Sequence, residues 1–244
     1  MDEAAFLESY DADAFDRLSV TVDLILMSVI DGAPAVLLTR RSQHPFEGAW
    51  ALPGGFVGMG ESLDEAAHRV LVEKAGMADA YVEQLYTFGA IDRDPRTRII
   101  SVAYFALLPA DRFAAALKAM PDLALAEIAV PWKGETGGPV EVRIDDSDPL
   151  DLAFDHGDIV SLAMRRLRGK LDYSTVAFAL LPERFTLRAL QDVYEAILDT
   201  KLNKSAFRRR MIDRSWLEAT GERETGASFR PAELYRYLAP QGDK

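Results

Sequence analysis

Residues 19–29 form a run rich in β-branched and apolar side chains, and the turn dipeptide Asp31-Gly32 separates them from a second apolar run at residues 35–39. Two such runs across a turn predict a β-hairpin. Trp50-Ala51-Leu52-Pro53-Gly54-Gly55 then breaks regular structure, and Gly58 and Gly60 keep the backbone loose up to Ser62. Ser62 with Glu65 makes a capping box. Leu63, Ala66, Ala67, Val70 and Leu71 follow at helical spacing, and Gly76 suits the residue just past a helix end. Residues 81–90 and 99–108 read as further strands around the polar Asp92-Arg93-Asp94-Pro95-Arg96, residues 114–120 as a helix, and residues 140–144 as a short strand. Strands and helices in this order predict an α/β sandwich. A helical stretch at residues 156–169 is the expected connector, so we divide the chain into 1–155 and 156–244.

The second part has a different pattern. Thr186 caps a helix whose apolar stripe is Leu187, Leu190, Val193, Tyr194 and Ile197, with Phe185 and Leu190 placed as a hydrophobic staple. The break Asp199-Thr200-Lys201-Leu202 leads to a second helix capped by Asn203, with Phe207 and Met211 as its inward anchors. Two short helices across four residues suit a helix-turn-helix. Trp216-Leu217-Glu218, a glycine-bearing loop at residues 221–229 and residues 233–238 then read as strand, loop and strand, the build of a wing.

At 244 residues, 49% hydrophobic and 27% charged, the chain is globular in composition and large enough for two domains. It has no cysteine, which excludes disulfides, thiolate metal sites and a cysteine nucleophile. The acidic N-terminus lacks a basic segment followed by an apolar one, and no apolar run approaches the roughly 18–20 residues of a bilayer span. A cytoplasmic protein without a membrane partner is therefore expected. The net charge of −11 argues against nucleic acid until its distribution is considered. Residues 165–244 hold 16 Lys and Arg against 11 Asp and Glu, a net of +5, leaving −16 for the rest. An acidic domain followed by a mildly basic one allows the second to meet phosphates. Its second helix carries Lys204, Arg208, Arg209 and Arg210, with Lys201 and Arg214 beside it, as a helix laid in a major groove requires. Phosphate contacts give affinity and salt dependence, and contacts to base edges give specificity. Thr186, Lys201, Asn203, Lys204, Arg208, Arg209 and Arg230 are the candidate DNA-binding residues.

Gly55, Glu61, Arg69, Leu71, Glu73, Gly76 and Met77 stand at the spacing of the Nudix signature, and the stretch resembles that family closely. Nudix chemistry is metal-assisted attack of water on a diphosphate, which needs several carboxylates around hard cations. At about 100° per residue, positions 70, 73 and 74 share one helix face. Here they are Val70, Glu73 and Lys74, so two of the three carboxylates are gone and Lys74 would repel a cation. No catalytic set is intact. Magnesium is expected only if residual hydrolysis persists, through Glu61, Glu73 and a carboxylate from elsewhere such as Glu127. Lys74 could instead take the place of a metal against a phosphate.

The segment 92–104 resembles the corresponding part of Nudix proteins that handle ADP-ribose. Arg93, Arg96 and Arg98 could meet phosphates or ribose hydroxyls, as could Arg40 and Arg41, while Trp50 or Phe46 could stack on adenine. The candidate ligand residues are Arg41, Trp50, Gly54, Gly55, Arg93 and Arg96. Leu180-Leu181-Pro182-Glu183-Arg184, Phe185-Thr186-Leu187-Arg188 and Asn203-Lys204-Ser205-Ala206-Phe207-Arg208-Arg209 follow the Nudix-like part. This combination resembles the Nudix-related transcriptional regulators, the NrtR family, over residues 20–237. The resemblance implies an α+β protein, a Nudix α/β/α sandwich with a mixed sheet followed by a winged helix-turn-helix. It implies a sensor of ADP-ribose or a related nucleotide diphosphate, operator DNA as partner, a homodimer, no required cofactor and control of NAD-related genes. The wing, Gly226-Ala227-Ser228-Phe229-Arg230-Pro231, is less basic than is usual in that family. A magnesium-dependent ADP-ribose pyrophosphatase with an accessory domain is the alternative reading.

Overall fold

The computed structural model describes residues 2–11, 14–78, 80–224 and 231–238. After a short helix α1 (Glu3–Ser9), strands β1 (Ser19–Ile30), β2 (Ala33–Arg40), β5 (Glu83–Phe88), β6 (Ile99–Leu107), β7 (Leu123–Ala129) and β8 (Glu141–Arg143) form a sheet in the order β5-β6-β1-β2-β7-β8. Short strands β3 (Trp50–Ala51) and β4 (Gly54–Phe56) attach to β2 and β1. The sheet is mixed, because β1 runs parallel to β6 while its other pairings are antiparallel.

Helices cover both faces, which explains the nearly unbroken apolar sequence of β1. Val22, Leu24 and Leu26 pack under α2 (Leu63–Ala75) and α3 (Asp111–Ala119), whereas Ile25 and Met27 face α4 (His156–Lys170). Helix α2 begins and ends as its sequence dictates. The Ser62 hydroxyl accepts from Glu65 N at 3.2 Å, the Glu65 carboxylate accepts from Ser62 N at 2.7 Å, and Gly76 ends the helix at φ 65°.

Four elements of this half differ from the sequence expectation. Residues 50–55, expected to break regular structure, enter the strands β3 and β4, because Trp50 and Ala51 pair with Arg40 and Thr39 and Gly54, Gly55 and Phe56 pair with Asp23, Val22 and Thr21. Helix α1 and strand β7 are the others: in β7, Leu-Ala-Leu-Ala-Glu-Ile-Ala is made largely of helix formers. Pairing with β2, from Ala35 opposite Glu127 to Thr39 opposite Leu123, overrides that local preference.

A 3-10 turn (Val176–Leu180) precedes β9 (Phe185–Thr186), α5 (Leu187–Leu198), α6 (Lys204–Asp213), β10 (Leu217–Arg223) and β11 (Glu233–Tyr237). The three strands pair in the order β10-β11-β9, completing a winged helix. Thr186 and Asn203 cap their helices, accepting from Ala189 N at 3.0 Å and Ala206 N at 2.9 Å. Strand β10 reaches Arg223, further into the expected wing loop than its sequence suggested; the tip at residues 225–230, including Arg230, lies outside the described residues.

The winged helix does not hang on a linker. Leu190, Tyr194, Ile197, Phe207 and Met211 belong to the same continuous apolar cluster as Ile25, Met27 and Phe105 of the sheet. Ile159, Val160, Ala163, Met164 and Leu167 of α4 lie in that cluster too. Among the described residues no helix is long and apolar enough to cross a membrane.

Candidate functional site

Strand β4 crosses the end of β1 so closely that residue 54 has to be glycine. A Cβ there would collide with Oδ1 of Asp23, and one on Gly55 would stand 3.0 Å from Val70 Cγ2. Beside β4 opens a cleft of about 380 Å³, within the usual range for small-molecule sites. Asp23, Arg40, Arg41, Lys74, Arg93 and Arg96 are among its charged walls, and Phe56 and Phe154 are its aromatic ones.

The floor is a buried polar network drawn from distant parts of the chain. Asp155, at the start of α4, receives Arg93 Nε at 2.9 Å and Nη2 at 2.6 Å. The same guanidinium stands 3.6 Å from Asp23, whose other neighbours are the Ser101 hydroxyl and, at 3.7 Å, His156 Nε2. Nδ1 of His156 accepts a hydrogen bond from Leu52 N at 2.8 Å. Burial holds this imidazole below its ordinary pKa, against the opposing pull of Asp23 and Asp155. Because Nδ1 accepts from Leu52 N, the ring carries its proton on Nε2, towards Asp23.

On the rim, Arg96 pairs with Asp94 at 2.8 Å, which lifts the arginine's pKa, and its guanidinium lies 5.3 Å from the Phe56 ring centroid. Arg41 donates to Pro45 O at 2.8 Å and Gln43 O at 3.2 Å and stands 4.8 Å from the Phe154 ring. Burial, followed by the charge of Arg96, lowers its pKa.

Of the candidate ligand residues, the structure brings Arg41, Gly54, Gly55, Arg93 and Arg96 together around this cleft. Trp50 is not there; it packs against the main apolar cluster. Phe46 lies edge-on to Phe154 at 4.9 Å rather than in the wall. Asp23, Phe56, Phe154 and His156 were missed. A lone carboxylate inside an apolar strand run was the available signal for Asp23.

The signature carboxylates are engaged elsewhere. Glu61 accepts from Arg69 Nη2 at 2.6 Å, Arg69 Nε at 3.0 Å and Gly58 N at 2.7 Å, and Arg69 foremost pulls its pKa down to about 2. Glu73 leans on the same arginine at 3.4 Å, Val70 is fully buried, and Glu127 is exposed on β7 beside a different cavity. None of the four lines the cleft. Glu61 and Arg69 thus tie the loop to the helix, and among the described residues no group of three or more metal-binding side chains comes together.

On the winged helix, Lys204, Arg208 and Arg209 share an exposed face of α6 within an arc of about 140°. Among the described residues Lys204 and Arg209 have no ion-pair partner, and Arg208 reaches only the Tyr235 hydroxyl at 3.4 Å. Arg210 points the other way, over the Tyr194 and Phe207 rings and 3.6 Å from Asp172. Lys201 pairs with Glu195 at 3.0 Å. That carboxylate also accepts from Gln191 and from Leu202 N, closing the turn between the helices, and lies at a pKa of about 2 because of these bonds, Gln191 foremost. Thr186 and Asn203 spend their side chains on capping.

These features recur in known proteins. The NUDIX domain family model matches residues 19–122, and that of the NrtR DNA-binding winged helix domain matches residues 177–237. The ADPR responsive transcriptional repressor NtrR of Acinetobacter baylyi is 39% identical over 243 residues, covering 99% of this chain and 90% of its own. The crystal structure of Shewanella oneidensis NrtR complexed with a 27mer DNA aligns with a TM-score of 0.74 at 34% identity, covering 90% of this chain and 93% of that one. An ADP-ribose pyrophosphatase of Methanocaldococcus jannaschii is 33% identical over 153 residues, which is 63% of this chain and 79% of its own. With a Nudix sandwich and an NrtR winged helix joined in one core, this chain belongs to the NrtR family of Nudix-related transcriptional regulators.

Proposed function

We propose that this chain is a transcriptional repressor whose DNA affinity responds to ADP-ribose or a closely related nucleotide diphosphate bound, and not cleaved, in the cleft beside β4. The observation that carries this reading is the path of α4. Its first turn belongs to the cleft floor, through Asp155 on Arg93 and His156 on Leu52 N. Its last turn holds the winged helix, where Arg168 Nε donates to Ile197 O at 2.8 Å and Nη1 donates to Trp132 O at 2.6 Å.

A ligand shifts an equilibrium only if it binds the alternative arrangements unequally. Arg93 and Arg96 are already committed to Asp155 and Asp94, so a diphosphate that draws on either guanidinium competes with the carboxylate that positions α4 or its neighbouring loop. Such competition supplies the unequal binding. At the other end, α6 enters the major groove with Lys204, Arg208 and Arg209 outward, and two copies bind two half-sites as a homodimer. The protein acts in the cytoplasm on genes of NAD turnover, without a required cofactor. Residues 1–155 sense and residues 156–244 connect and read.

Fluorescence anisotropy with DNA from the region upstream of this gene, with and without ADP-ribose, tests the proposal. Specific binding that ADP-ribose weakens at least fivefold, without magnesium-dependent turnover, is expected. Turnover without specific DNA binding would return the chain to the pyrophosphatases.

A further inference from the structure

The Nudix fold implies a divalent cation, and the donor set of this cleft does not fit one. A hard cation takes about six oxygen ligands. The cleft offers two carboxylates, Asp94 bound to Arg96 and Asp23 held among Arg93, Ser101 and His156. Among the described residues no group of three or more metal-binding side chains exists.

Cations outnumber those carboxylates five to two in the lining. Three of them, Arg40, Arg41 and Lys74, have no carboxylate partner among the described residues; Arg40 and Arg41 spend hydrogen bonds only on loop carbonyls. Lys74 stands where the signature has a metal-binding glutamate and is the one lining residue that α2 contributes.

We infer that the cleft takes its diphosphate without a metal, the Lys74 ammonium and the Arg41 guanidinium supplying the positive charge that a divalent cation supplies in the hydrolases. The inference rests on the function proposed above and names the residues that carry it. With Asp155 counted against Arg93, the cleft carries a net of two positive units, which match the two charges of a diphosphate, and a metal added to such a wall would be repelled. Burial, and after it the neighbouring charge of Arg96, disfavour the charge of Arg41, a cost that a bound anion relieves. Lysine serves phosphate as a compact point charge, so its substitution by glutamate converts an attractive site into one that needs a cation to bridge it.

The test is calorimetric titration of the full chain with ADP-ribose in magnesium and, separately, in EDTA. Wild-type affinity within about twofold in the two buffers is expected. Lys74→Ala should weaken binding about ten- to hundredfold in both, as expected when one charge-assisted hydrogen bond is removed. Lys74→Glu should bind more weakly still in EDTA and recover in magnesium, a recovery that Lys74→Ala does not show. Lys74 is exposed, so the apo melting temperature of both variants stays at the wild-type value and separates binding from folding. Wild-type binding that needs magnesium overturns this inference and leaves the sensor reading standing. Unchanged affinity in Lys74→Ala overturns the role of Lys74. Absence of ADP-ribose binding in both buffers overturns the sensor reading and this inference together.

Discussion

Arg168→Met removes the guanidinium at the joint between α4 and the winged helix while keeping an unbranched apolar stem. Arg168 is 4% exposed and donates to two carbonyls, Ile197 O and Trp132 O, with its charge 4.6 Å from the Trp132 ring centroid. Hydrogen bonds from a charged donor contribute about 1.5–3 kcal/mol each, so losing both costs at most about 6 kcal/mol. Burial also disfavours the arginine's own charge, lowering its pKa, and methionine relieves that cost. A net loss of about 3 kcal/mol remains. For a chain of this size each kcal/mol moves the melting temperature by about 2–4 °C, giving a fall of about 6–12 °C. Arg165→Met on the exposed side of the same helix, where only Glu135 O is bonded at 3.2 Å, is the control and should cost under about 0.5 kcal/mol. The second readout is coupling, the ratio of operator affinities without and with ADP-ribose, which should fall towards one in Arg168→Met and stay at the wild-type value in Arg165→Met. A melting temperature within about 2 °C of wild type, in the scale just used, or an unchanged ratio would refute the role given to this joint.

Gly54→Ala drives a methyl into the Asp23 carboxylate and should cost about 1–3 kcal/mol together with most ADP-ribose affinity, read by thermal melting and calorimetry. The unfolded chain protonates a histidine near pH 6.5, whereas burial holds His156 neutral to lower pH. Its contribution to stability is therefore complete above about pH 6.5 and lost as pH falls towards the depressed folded value. Urea midpoints measured from pH 8 to pH 5 should decline less in His156→Gln than in the wild type. Alanine at Lys204, Arg208 or Arg209 should weaken operator binding and flatten its salt dependence by about one logarithmic unit of slope for each phosphate left unneutralised. Arg210→Ala should instead lower the melting temperature with little change in that slope, since its charge faces Asp172 and two buried rings.

The readable parts of the chain are those governed by neighbours in sequence. Ser62, Glu65 and Gly76 specify both ends of α2 within fifteen residues, and Thr186, Asn203, Phe207 and Met211 place the two helices of the reader in the same way. The cleft was harder because it joins residues from β1, β2, α2, residues 93–96 and the start of α4. Nothing in local patterning announces that Asp23, Arg93 and His156 meet. Three consecutive arginines likewise look alike in composition. Converted to helix angles, the inward anchors Phe207 and Met211 set Arg209 opposite them and leave Arg208 and Arg210 on the two flanks, so only the packing of Arg210 over the Tyr194 and Phe207 rings tells those two apart. Strand β7 escaped notice for a different reason, since its pairing partner lies some ninety residues earlier and its own propensities favour a helix.

The small number of outward cations on α6 bears on how an operator would be found in a genome. Binding to arbitrary DNA is supplied almost wholly by neutralised phosphates, and those bonds are what let a protein slide. A reader with three such cations on α6 and an acidic body has little grip on wrong sequences. Its dwell on them is brief, and the search proceeds by repeated encounters from solution rather than long excursions along the duplex. Few molecules are then sequestered on irrelevant DNA, so occupancy of the operator follows the free concentration of protein, and a modest change in affinity on ligand binding suffices to empty the site.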